Sequence, residues 1–380
     1  MMEQKNLVPK RRFKEFQNAP AWEQRKLGKV VKTHQFRPYL AEPNAEGDFE
    51  VIQQGDRPVA GYTNGTPFEN YRDVTLFGDH TVSLYKPTKP FFIATDGVKI
   101  LSADGLEGDF LFSLLERYKP EPQGYKRHFT ILKNQGAWIT KNVEEQVKIG
   151  AFFKNLDHLI TLHQCKLEKM KTLKSAYLSE MFPAEGERVP KRRFAGFTQA
   201  WEQRKLGDVA EFNPKEELPE IFEYVDLESV VGTELIAHRK VRKEKAPSRA
   251  QRLARKGDLF YQTVRPYQKN NYLFEKPCNN YVFSTGYAQL RPYGDGYFLL
   301  SLVQTEQFVK AVLDRCTGTS YPAINSNDLA NMEVYVPSRG DEQILIGRLF
   351  KSVDHLITLH QRKLEKLQNI KEAYLNEMFV

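Results

Sequence analysis

Apolar side chains between Asn142 and Phe182 fall at Ile149, Phe153, Leu156, Ile160, Leu167, Met170, Tyr177 and Met181. These are steps of four and three that stay in phase once His163 and Lys174 are admitted as polar members. The same phase returns at Ile346, Phe350, Val353, Ile357, His360, Leu364, Leu367, Lys371, Tyr374 and Met378. Such spacing is a coiled-coil seam, and it predicts two helices of about 38 residues, roughly 57 Å long at about 1.5 Å per residue. Asn142 with Glu145, and Ser338 with Asp341, are placed to cap the first turns, and Pro183 stops the first helix. A large apolar side chain left in water forfeits about 1.5–3 kcal/mol, so two matching seams in one chain are expected to cover each other. Antiparallel pairing about a pseudo-twofold axis suits them best.

Outside the helices the period changes to that of strands. The runs "FEVIQQ", "TVSLY", "PFFIA", "DLFYQTV", "NNYVF" and "MEVYVP" are β-branched or aromatic and bounded by turn residues, and one clearer helix is expected in each block, at Phe110–Tyr118 and Tyr297–Leu313. The predicted class is α/β: two mixed α/β domains separated by an antiparallel coiled coil of two long helices.

The chain is one unit written twice. "VPKRRF" stands at Val8 and again at Val189, and "AWEQRKLG" at Ala21 and Ala200. The 26 residues from Asp157 recur from Asp354 with 19 identities. Fainter echoes link "FLFSLL" from Phe110 with "FLLSLV" from Phe298, and "VEEQVKIGAFF" from Val143 with "GDEQILIGRLF" from Gly340. The predicted boundaries are a basic segment at 1–20, a block at 21–142, a helix at 143–182, a linker repeating the basic segment at 183–199, a second block at 200–338 and a second helix at 339–380. The blocks otherwise diverge. Shared segments are therefore expected to do one job twice, and the blocks to do related jobs on different targets.

Composition narrows the choice. With 41% apolar and 12% aromatic residues the chain is expected to be globular. It has no apolar run long enough to span a bilayer and no apolar signal core at its start, so a cytoplasmic location without membrane attachment is expected. Cys165, Cys278 and Cys316 are scattered, which speaks against both a disulfide framework and a zinc cluster. His158, His163, His355 and His360 lack the ligand spacing of a metal site, and the two seam histidines read as polar residues that set register, so no metal is expected. The net charge is +8, yet residues 21–142 hold 16 Lys/Arg against 15 Asp/Glu, and residues 200–338 hold 18 against 18. The excess is local: nine Lys/Arg lie between Arg239 and Lys256, against Glu244 alone. There is no phosphate loop, dinucleotide fingerprint or amino-methyltransferase motif. Catalysis is expected to lie in another protein.

These long segments resemble one family, the specificity (S) subunit of type I restriction-modification enzymes. The resemblance is carried by both copies of "AWEQRKLG" and by the duplicated "LHQ-x-KLEK" helices. It extends through "FGDHTVSLYKPTKPFFIATDGVKIL" from Phe77, "APSRAQRLARKGDLFYQTVRPYQKN" from Ala246 and "GTSYPAINSNDLANMEVYVPSRGDEQ" from Gly318. It implies two target-recognition domains that bind the halves of a split double-stranded DNA site, and helices that dock two methyltransferase (M) subunits. Two restriction and motor (R) subunits would complete the complex. The cofactors S-adenosylmethionine, ATP and Mg would belong to those partners, with none in this chain.

Phosphates call for Lys and Arg, and base edges for forked or amide side chains. In the second block Arg242, Lys243, Arg249 and Arg252 suit phosphates, while Gln262, Arg265, Gln268, Lys269 and Asn270 beside Pro266 suit base edges, with Thr319, Ser320 and Tyr321 on a neighbouring loop. By order along the repeat the first block offers Asp79, His80 and Thr81, then Lys86 and Lys89, with Tyr125, Lys126, Arg127 and His128 after them. A free-standing DNA-binding regulator and a protein scaffold are the rival readings at this point.

Overall fold

Both seams fold as continuous helices in the computed structural model, which describes residues 8–124, 126–318 and 320–380; α1 is Val143–Glu180 and α2 is Gly340–Met378. Asn142 caps α1, its Oδ1 accepting from the Glu145 amide at 3.1 Å. Ser338 does not cap α2. Its hydroxyl donates to Gln199 Oε1 at 3.1 Å, and Asp341 is taken up by Arg339 Nε at 3.0 Å. The two long helices then share the packing of two units, Met1–Cys165 with Gln361–Val380, and Lys166–His360.

In the first unit, β1 (Val31–Thr33), β2 (Phe49–Ile52), β3 (Val59–Thr63), β4 (Thr75–Gly78), β5 (Leu84–Tyr85), β6 (Phe91–Ile93) and β7 (Val98–Ala103) make two sheets. One runs β1-β7-β4-β5, antiparallel throughout. The other runs β3-β2-β6, with β2 antiparallel to β3 and parallel to β6. The second unit repeats this plan with β8 (Ala210–Phe212), β9 (Ile221–Val225), β10 (Arg239–Arg242), β11 (Ala250–Leu253), β12 (Leu259–Gln262), β13 (Tyr272–Leu273), β14 (Tyr281–Ser284) and β15 (Tyr287–Pro292). Its sheets are β8-β15-β12-β13 and β10-β9-β14-β11. β4 thus corresponds to β12, and the edge strand β3 to the edge strand β10. The run "TVSLY" yields only Leu84–Tyr85 as strand, because Val82 takes a left-handed φ of 59° in the preceding turn. The helix expected over Tyr297–Leu313 is two, Gly296–Gln304 and Glu306–Leu313. Thr305 breaks it by capping the second, accepting from the Phe308 amide at 3.3 Å.

The repeated segments build the core. Trp22, Phe110, Phe153 and Phe379 form an aromatic quartet in the first unit, with Trp22, Phe110 and Phe153 each 5.7–5.9 Å from Phe379. Trp201, Phe298, Phe350 and Phe182 repeat it in the second, at 5.7–6.0 Å from Phe182. Each quartet therefore needs the start of one long helix and the residue just past the end of the other, which requires antiparallel packing within the unit. The polar "EQRK" runs, Glu23–Lys26 and Glu202–Lys205, pair with Gly136–Ile139 and Glu333–Val336 and hold each tryptophan in place.

The basic segments "KRRF" are latches. Arg11 reaches Glu377 near the end of α2 while Arg12 grips the buried Glu145 at the start of α1, through Nε at 2.6 Å and Nη2 at 2.8 Å. In the other unit Arg192 reaches Glu180 and Arg193 grips the buried Glu342, again at 2.6 and 2.8 Å. Burial of a carboxylate is tolerated only with such a charge-assisted, bidentate partner.

Along the seam, Phe153, Leu156, Leu167, Phe350 and Val353 are buried, and Ile160, His163, Met170, Tyr177, Ile357, His360, Leu364, Leu367 and Tyr374 are half-buried. Two ion pairs repeat there: Asp157 with Lys371 and Asp354 with Lys174, each at 2.6 Å. Burial raises both carboxyl pKa values above the ordinary range, and the paired lysines only partly offset it. Among the described residues no helix is long and apolar enough to cross a membrane, and no group of three His, Cys, Asp or Glu is placed to hold a metal ion.

Candidate nucleic-acid interface

The connections at one end of the strands are tied to one another by backbone hydrogen bonds. In the second unit the Thr263 amide donates to Gly286 O at 3.0 Å, the Thr285 amide to Arg249 O at 2.8 Å and the Ile324 amide to Thr263 O at 3.0 Å. Four connections therefore meet there: β10–β11, β12–β13, β14–β15, and the segment 314–325. A further turn joins when the Gly232 amide donates to Asn270 Oδ1 at 2.8 Å.

The first unit has the same knot. Asp79 donates its amide to Gly97 O and accepts from the His128 amide, both at 2.8 Å, matching Thr263, Gly286 and Ile324. The β2–β3 turn joins through Gln54, whose Oε1 accepts from the His80 amide at 3.0 Å.

Three sequence-predicted site residues turn out to hold the knots together, and a fourth, Lys86, braces the opposite end of β4. Asp79 is 3% exposed, and its Oδ1 accepts from the Phe129 amide at 2.8 Å. His128 is fully buried, with Nδ1 3.0 Å from Asp79 O and Nε2 accepting from the Gln123 amide. Lys86 donates to the carbonyls of Arg72 and Val74, and burial lowers its pKa. Gln262 is 3% exposed, and its Nε2 donates to Val264 O and Gln268 Oε1. These four act as internal braces, most of their polar atoms being engaged inside the fold, although the buried Gln262 Oε1 has no partner there.

Others are spoken for by ion pairs, Lys89 with Glu50 at 3.1 Å and Lys269 with Glu306 at 2.6 Å. Asn270 is half-buried on Gly232. Tyr125 and Thr319 lie outside the described residues.

Thr81, Lys126, Arg127, Arg242, Lys243, Arg249, Gln268, Ser320 and Tyr321 are exposed at the knots or on the neighbouring edge, and His80 is half-buried. Arg252 is half-buried on β11, its Nε has no partner, and burial lowers its pKa. Sequence reasoning missed Arg57, exposed in the β2–β3 turn, although "QGDRP" between two strand patterns signals such a turn. It also missed Arg239 and Lys240 as members of an edge strand. There β10 places Arg239, Lys240 and Arg242 in the open, with Arg239 stacked 5.1 Å from the Tyr224 ring. Charged edge strands resist pairing with other sheets, but the exposed cations continue past the strand through Lys243, Lys245 and Arg249. Among the described residues Arg242, Lys243, Lys245 and Arg249 make no ion pair. A neutral edge would have sufficed for solubility; a cationic one beside a loop knot suits a polyanion.

The long helices carry a second repeated feature. Val147, Leu159 and Leu162 on α1 are 38–48% exposed, and the equivalent Ile344, Leu356 and Leu359 on α2 are 36–41% exposed.

Residues 198–369 match the family described as the type I restriction modification DNA specificity domain. The chain is similar to the type I restriction enzyme HindI specificity subunit of Haemophilus influenzae, at 25% identity over 141 residues. That match spans 35% of this chain and 30% of the relative. The S subunit of a type I restriction-modification system from M. genitalium has the same fold, with a TM-score of 0.70 over 98% of this chain and 99% of that one, at 16% identity. The chain thus has the fold of that S subunit, and its residues 198–369 match the type I restriction modification DNA specificity domain.

Proposed function

We propose that this chain selects the DNA sequence on which a type I complex acts, and that its two loop knots read the two halves of an asymmetric, bipartite double-stranded site. The observation that supports this reading most is the contrast between constant and variable parts. The backbone bonds of the knots, the latches and the quartets repeat in both units, while the side chains at the knots do not. A scaffold kept twice with its tips changed is what two unlike half-sites require. The exposed cations of β10 and the following loop hold phosphates, and the knot side chains face base edges in the major groove.

The exposed Leu159–Leu162 and Leu356–Leu359 pairs are the docking surfaces for two copies of one partner, a methyltransferase subunit. That subunit supplies S-adenosylmethionine and flips the target adenine. Restriction subunits add ATP- and Mg-dependent cleavage. The chain itself contributes no catalytic group.

Co-expression of the chain with its methyltransferase partner, followed by mapping of methylated adenines across a genome, tests the reading. The expected result is one split, asymmetric motif. Full site affinity by the chain alone, with no effect of the partner, would favour a free-standing regulator. Methylation without a motif would overturn the proposal.

A further inference from the structure

We infer that Arg265 selects a guanine, its guanidinium reading the O6 and N7 edge of one G·C pair while braced on Tyr321. This rests on the reading that the knots face DNA, and names one base for one side chain.

Arg265 takes a left-handed backbone, φ 54°, as does Lys269 four residues later at φ 55°. Non-glycine residues hold that conformation only where the surroundings impose it. Here the Arg265 amide donates to Pro322 O at 2.7 Å, Val264 bridges Ala323, and the Gln268 amide donates back to Arg265 O at 3.0 Å. The loop after β12 is thereby bolted to the segment that carries Tyr321.

The side chain is fixed from the same segment. The guanidinium carbon lies 4.5 Å from the centre of the Tyr321 ring, and Tyr321 is 63% exposed. Stacking holds the fork in one plane and leaves its edges open, which lowers the entropy lost when both N–H groups engage an acceptor pair.

Of the other arginines near the sheets, Arg239 also stacks on a ring, 5.1 Å from Tyr224, but on the edge strand β10 rather than in the loop after β12. Arg255 pairs with Glu216, and Arg291 with Asp258 and Glu216. Arg249 is exposed with no side-chain partner, which suits a phosphate. Among the arginines of the knot loops, Arg265 is the one braced on a ring and bonded to no carboxylate. A planar fork held this way matches the two acceptors that guanine offers in the major groove, whereas a phosphate needs only charge.

The test uses the full chain co-expressed with its methyltransferase partner and a map of methylated sites for Arg265→Gly, Arg265→Lys and Tyr321→Leu. Glycine accepts the left-handed backbone, so the first variant removes the fork without straining the loop, and lysine keeps the charge. In the half of the motif that persists when residues 21–142 are exchanged, preference for one guanine should fall about 5- to 160-fold in both Arg265 variants. Tyr321→Leu should give a smaller loss at the same position, and the other bases should stay specified. An unchanged motif, a persisting half without guanine, or a uniform loss that Arg265→Lys restores would overturn the assignment. Methylation with no motif by the unaltered chain would overturn the underlying reading, and this inference with it.

Discussion

The edge strands β3 and β10 occupy one place in two copies of one fold, yet β3 reads Val-Ala-Gly-Tyr-Thr and β10 reads Arg-Lys-Val-Arg. The connection after β4 is five residues long and built around the buried Asp79, while the one after β12 is nine residues long and carries Arg265 and Lys269. The latches and aromatic quartets of the same two units agree residue for residue. Position in the fold therefore constrains the groups that close each unit, and leaves the tips free to take on a target. On the proposed reading the second unit would grip DNA by charge, and the first would read it with fewer cations, chiefly Arg57, Lys126 and Arg127.

That contrast can be broken first at its constant side. Arg12→Ala strands the buried Glu145 and should cost about 3–5 kcal/mol, and Arg193→Ala should do the same through Glu342. Hydrogen exchange should show the first variant loosening residues around Trp22 and Phe379 and the second those around Trp201 and Phe182. Equal loosening everywhere would mean that the latches are not local. A charge in the exposed apolar pairs, Leu356→Asp with Leu359→Asp, should leave unfolding within about 0.5 kcal/mol, as surface changes do. It should also sharply reduce co-purification of the methyltransferase; normal recovery would move the docking surface elsewhere.

The variable side gives a smaller effect. Replacing Arg239, Lys240 and Arg242 of β10 by Gln should flatten the dependence of log affinity on log salt by about 2 to 3. Replacing Val59 and Tyr62 of β3 by Gln should not change it. Similar slopes for both would erase the distinction between the edges.

The smallest expected effect is on pH dependence. Burial holds the Asp157 and Asp354 carboxyls above their ordinary value of 3.8. The folded state then binds those protons more tightly than the unfolded one. The resulting stability is complete below 3.8 and lost as pH rises through the raised values. Asp157→Asn with Asp354→Asn should remove that slope from denaturant midpoints in mildly acid solution. An unaltered slope would place its origin in other groups.

Much of this was legible in the chain. The seam phase gave both helices because an apolar stripe must be covered, and self-similarity separated the shared parts from the divergent ones. The "EQRK" strands were not legible, since all four side chains of each are exposed and show no alternation. The role of "KRRF" was hidden for a different reason: Arg12 and Glu145 are distant in sequence, so the run reads only as a repeated basic segment. At the site, exposure decided what composition could not. Asp79, His128 and Gln262 are residue types that suit base edges, but the fold turns Asp79, His128 and the Gln262 amide nitrogen to its own loops. Arg265 became distinctive only through its backbone angle and its contact with Tyr321.

The most direct measurement is a domain exchange. Residues 21–142 would be replaced by the equivalent block of another specificity subunit, and the adenine methylation pattern mapped with the same methyltransferase partner. The account predicts that one half of the motif changes and the other, with its spacing, stays. Change in both halves, or in neither, would contradict it.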